Sequence, residues 1–93
     1  MDKWKATTES GTTYEMRDGI VKVVPKDGAG YSIQVWKMQA ATKVGDKYHA
    51  LGLPWSDPTS WEDSTRPVMG RRMYVQGKDE WRISTPIVSV EDL

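Results

Sequence analysis

Ninety-three residues make one domain, and thirteen basic against thirteen acidic side chains leave no net charge. The strongly basic balance that marks many nucleic-acid binders is therefore missing. With no cysteine there is no disulfide framework, zinc–thiolate site or thiol nucleophile. Such a composition fits a reducing compartment. The opening residues hold no apolar stretch, so the sequence predicts neither a signal peptide nor a membrane span. A charge near zero favours self-association, so a homo-oligomer is one expectation. Five Trp and four Tyr, without Phe, supply the bulk for a small core, each buried ring removing roughly 150–250 Å² from water.

In chain order, Trp4–Thr8 and Thr12–Arg17 read as strands joined at Ser10-Gly11. Thr12–Arg17 and Ile20–Val24 then flank Asp18-Gly19, the strongest short-range hairpin signal here. Pro25 to Gly30 is a break. Tyr31–Met38 alternates, with Tyr31, Ile33 and Val35 on one face and Ser32, Gln34 and Trp36 on the other, which predicts a single strand. Met38–Val44 has the propensity for a short helical turn.

Asp46 to Pro67 is the longest stretch without β pattern and holds Pro54, Pro58, Pro67, Trp55 and Trp61. Ser60 ahead of Trp61-Glu62-Asp63 has the spacing of an N-cap on one helical turn. Strand signal returns at Val68–Val75. A hairpin loop follows at Gln76–Glu80, then short strands at Trp81–Ser84 and Ile87–Val90, separated by Thr85-Pro86. The expected fold is all-β with at most one short helix: a small antiparallel barrel or compact sandwich of six or seven short strands.

The stretches Trp4-Lys5-Ala6-Thr7-Thr8-Glu9-Ser10-Gly11-Thr12-Thr13-Tyr14-Glu15 and Trp81-Arg82-Ile83-Ser84-Thr85-Pro86-Ile87-Val88-Ser89-Val90 resemble small uncharacterised β-rich accessory proteins of actinobacterial bacteriophages. Together they cover about a quarter of the chain. The resemblance brings no catalytic or binding residue with it. It implies a phage or prophage accessory protein, cytoplasmic in the infected host, that binds and redirects a host protein.

The chemistry-bearing residues give no catalytic constellation, metal site or cofactor cradle. The single histidine, His49, reads as a polar residue beside Tyr48, since no Gly-x-Ser-x-Gly elbow supports a triad. With Asp46 alone it is too few ligands for zinc. Asp57, Glu62 and Asp63 lie close to Trp55 and Trp61, as in sugar-cleaving sites, but read better as turn caps and loop solvation. Gly28-Ala29-Gly30 lacks the third glycine and the following helix of a phosphate cradle.

Two binding surfaces are expected instead. The first is the Asp46–Pro67 loop, with Trp55 and Trp61 as anchors beside Asp57 and Glu62, because long loops carry function and Trp dominates interface energy; the equal alternative is that both rings fold back to plug the end of a small barrel. The second sets Arg71, Arg72 and Arg82 with Trp36, Tyr74 and Trp81 as a stacking platform for a nucleotide or single-stranded nucleic acid. Its plainer reading is a solvated strand face with Arg stems over rings. The favoured function is a non-enzymatic binding module for a host protein. A small-ligand or nucleic-acid binder and a minor structural or self-assembling phage protein are the alternatives.

Overall fold

A computed structural model describes residues 3–42 and 61–93. Nine strands occur among them: β1 Trp4–Thr8, β2 Thr13–Arg17, β3 Ile20–Val24, β4 Tyr31–Gln34, β5 Lys37–Ala41, β6 Trp61–Asp63, β7 Met73–Gln76, β8 Trp81–Ile83 and β9 Ile87–Asp92. They form two antiparallel sheets, in the orders β4-β3-β2-β1-β9 and β6-β5-β7-β8. The fold is all-β, as expected, and a sandwich: the barrel does not close.

The hairpin at Asp18-Gly19 forms where its dipeptide indicates. Asp18 has φ 52° and Gly19 φ 79°, the pair of positive angles that a type I′ turn demands. Asp tolerates this region and Gly enters it freely. The turn fixes a register of Tyr14 opposite Val23 and Met16 opposite Val21. Alternation then sends Tyr14, Met16, Val21 and Val23 inward, and all four are buried. Trp4 and Ala6 of β1, Ile33 of β4 and Ile87 of β9 complete this wall, and Met38, Met73 and Val75 meet it from the second sheet. Trp4 and Tyr14 are the largest fully buried side chains.

The outer face of the first sheet is laced with charge. Lys5 stands opposite both Glu15 and Glu91, and Glu15 stands opposite Lys22. Each opposite-charge cross-strand pair contributes about 0.2–1 kcal/mol. Arg17 adds an ion pair to Glu15 at 3.0 Å. A face so neutralised is satisfied by itself and by water.

Several expected elements are corrected. Tyr31–Met38 is two strands in different sheets. The N–H of Val35 still bonds the Gly19 carbonyl in the first sheet, whereas the next N–H, that of Trp36, bonds Gln76 in the second, at 2.9 and 2.8 Å. Alternation along a sequence reports extended backbone but not the partner strand, so it cannot locate such a switch. Met38 to Ala41 is strand rather than helical turn. It is held between β6 and β7, where tertiary pairing overrides a weak local propensity. Trp61–Asp63 is likewise strand, paired with Gln39–Ala41, not a capped helical turn. Val68–Val75 becomes strand only at Met73, because a turn closes from Arg71 N–H to the Val68 carbonyl. These divisions raise the strand count above the six or seven expected.

Candidate functional site

An open groove of about 480 Å³ lies where the chain passes from one sheet to the other. Met16 reaches it from the end of β2 and Gly19 from the β2–β3 turn. Val35, Trp36 and Lys37 form the corner, Met38 lies behind, and Ser64 and Thr65 close the far side. Local structure places each group. The Asp18-Gly19 turn brings Met16 and Gly19 to the lip, and the hydrogen bonds of Val35 and Trp36 to opposite sheets splay the corner open. Ser64 is tied to Met38 by its N–H bonding the Met38 carbonyl at 3.1 Å.

The walls are mainly apolar. Met16 and Met38 are buried at the base, while Trp36 is 66% exposed. Two thioethers beside an indole make a soft, adaptable lining. The volume lies in the range that suits a small ligand or a few side chains. Among the described residues, Lys37 is the one charged side chain that lines the groove. This chemistry can accept an apolar group and steer an acidic neighbour.

The residues singled out in the sequence do not form one cluster. Trp55, Asp57 and His49 lie outside the described residues. Trp61 is half-buried, with its ring centroid 6.1 Å from that of Tyr74 in an edge-to-face contact. Trp61, Tyr74, Gln76 and Trp81 alternate onto the outer face of the second sheet. Tyr74 donates its hydroxyl to Gln76 Oε1 at 3.0 Å, and burial raises its pKa above the ordinary 10.0. Glu62 accepts an ion pair from Arg71 at 3.1 Å, and Arg72 donates from Nη1 to the Ser84 carbonyl at 3.2 Å.

Arg82 faces the opposite way from Trp81. It stands opposite buried Val75 and reaches between the sheets, with Nε donating to the Tyr14 hydroxyl and Nη1 to the Tyr31 hydroxyl, both at 3.0 Å. Burial alone would lower its pKa, but the bonds to Tyr14 and then Tyr31 more than offset this, so the net shift is upward. The platform envisaged from sequence is thus divided. Tyr74 and Trp81 share one face, Arg82 lies behind it, Arg71 is held by Glu62, and Trp36 sits at the Gln76 end of β7, away from Arg71 and Arg72.

The groove residues Met16, Val35 and Met38, and the phenols of Tyr14 and Tyr31, were not legible as site residues. They come from β2, β4, β5 and the corner at Val35, and the convergence is a product of topology. Trp36 alone carried a signal, as the large aromatic opposite the apolar face of its strand. Comparison with protein-family models, with curated proteins and with solved structures gives no match.

Proposed function

We propose that this domain is a non-enzymatic binding module that receives an apolar side chain of a partner protein in the groove beside Trp36. The observation that carries this reading is the groove itself: Met16, Val35 and Met38 at its base, with an indole 66% exposed on its wall. Exposed Trp is unusual on a surface unless a partner covers it, and Trp is prominent among the residues that dominate interface energy. The charge-paired outer face of the first sheet offers no comparable anchor. The sequence resemblance to phage accessory proteins makes a protein of the bacterial host the partner of choice.

A nucleotide or single-stranded nucleic acid has less support. Stacking platforms need aromatic faces and guanidinium groups on one surface, and here Arg71 and Arg82 are engaged away from Tyr74 and Trp81. The test is capture from bacterial lysate by the wild-type protein and by Trp36→Ala. A specific partner retained by the first and lost by the second is expected. Equal capture by both would overturn the assignment to this groove.

A further inference from the structure

Arg82 stands apart from Arg17, Arg66 and Arg71. Arg17 pairs with Glu15, Arg66 with Asp92 and Arg71 with Glu62. Arg82 is held by two neutral phenols and, among the described residues, has no carboxylate within ion-pair distance. Neutral partners orient a guanidinium without cancelling its charge.

The orientation is firm, because the two phenols come from different strands. Tyr14 is 1% exposed and anchors Nε from the core, whereas Tyr31, 40% exposed, meets Nη1 at the surface. A guanidinium has five N–H donors. With Nε and one Nη1 hydrogen engaged, three N–H donors remain on the fork of Nη1 and Nη2, on a side chain that is half-buried. The Tyr31 hydroxyl accepts from Arg82, so its own proton is a further donor alongside that fork. A fork of this kind matches two oxygens of an oxyanion. A group already immobilised loses little conformational freedom on binding.

We propose that Arg82, positioned by Tyr14 and assisted by the Tyr31 hydroxyl, forms a surface site for a tetrahedral oxyanion of the phosphate type. The site is separate from the Trp36 groove and stands independently of it. The experiment is a titration of the full chain with inorganic phosphate at constant ionic strength, following the Arg82 Nε–H resonance by NMR. A saturable shift in the millimolar range is expected. Arg82→Lys keeps the charge but removes the fork and should weaken binding by about fivefold or more. Tyr31→Phe should weaken it about two- to fivefold with the melting temperature unchanged. Tyr31→Phe also carries the test should Arg82→Lys fail to fold. A shift that never saturates, or the same affinity in the wild type and in Tyr31→Phe, would overturn the proposal.

Discussion

At the residue scale, Asp18 and Gly19 supply the two positive φ angles that the β2–β3 turn needs. A Cβ built on Gly19 meets nothing within 4 Å, yet the backbone sits at φ 79°. The obstacle to a larger residue is therefore conformational, not steric crowding by neighbours. Left-handed backbone costs an L-residue about 1–2 kcal/mol, and a β-branched one more. Gly19→Val should lower the unfolding free energy by more than about 1 kcal/mol in a urea titration, and Gly19→Asn by clearly less. Equal stability of the Val variant and the wild type would show that the turn is not of this type. Tyr74 gives a second prediction. Burial raises its pKa above 10.0 in the folded protein, so the unfolded chain ionises first as pH rises. The stabilisation is complete below the ordinary phenol pKa and is lost as pH climbs through the folded value. Melting temperature should fall above pH ~10, and Tyr74→Phe should show a smaller fall. An identical alkaline profile in both proteins would remove Tyr74 as a cause.

At the scale of elements, the first hairpins were fully legible. Trp4–Thr8, Thr12–Arg17 and Ile20–Val24 announce themselves by alternation and turn chemistry, which are local properties. The reading fails where pairing is long-range. Met38-Gln39-Ala40-Ala41 looks helical in isolation, but Ala40 and Ala41 are 1% and 0% exposed within a sheet, where small side chains suit close packing. Tyr31–Met38 looks like one strand because nothing in its own residues records that the pairing partner changes after Val35. What accommodates that corner is Gly77, at the start of the β7–β8 turn. A Cβ there would lie 2.9 Å from both the Gln34 carbonyl oxygen and the Ile33 Cγ2, so backbone or core would have to move. Overpacking of this kind costs about 1–3 kcal/mol. Gly77→Ala should lose that much stability in chemical denaturation, for a purely steric reason that complements the conformational one at Gly19. A neutral Gly77→Ala would mean that the two sheets approach less closely at this corner.

For the whole molecule, the two sheets have different surroundings on their outer faces. One carries the Glu91–Lys5–Glu15–Lys22 ladder, and the other carries Trp61, Tyr74 and Trp81. Between them the sandwich is open at the corner that presents Trp36. Sequence reasoning pointed to Trp36 but not to the groove, since Met16 and Met38 are 22 positions apart and meet only through the fold. The paired measurement of stability and binding on Trp36→Ala, with Lys22→Ala as the control from the charged outer face, tests this account most directly. An indole so exposed contributes little to folding, so Trp36→Ala should change stability by no more than about 0.5 kcal/mol while partner capture is lost. Lys22→Ala should keep capture and lose no more than about 1 kcal/mol of stability with its pair to Glu15. Retained capture by Trp36→Ala, or a loss of stability of about 3 kcal/mol as for a core aromatic, would contradict a binding groove at this corner.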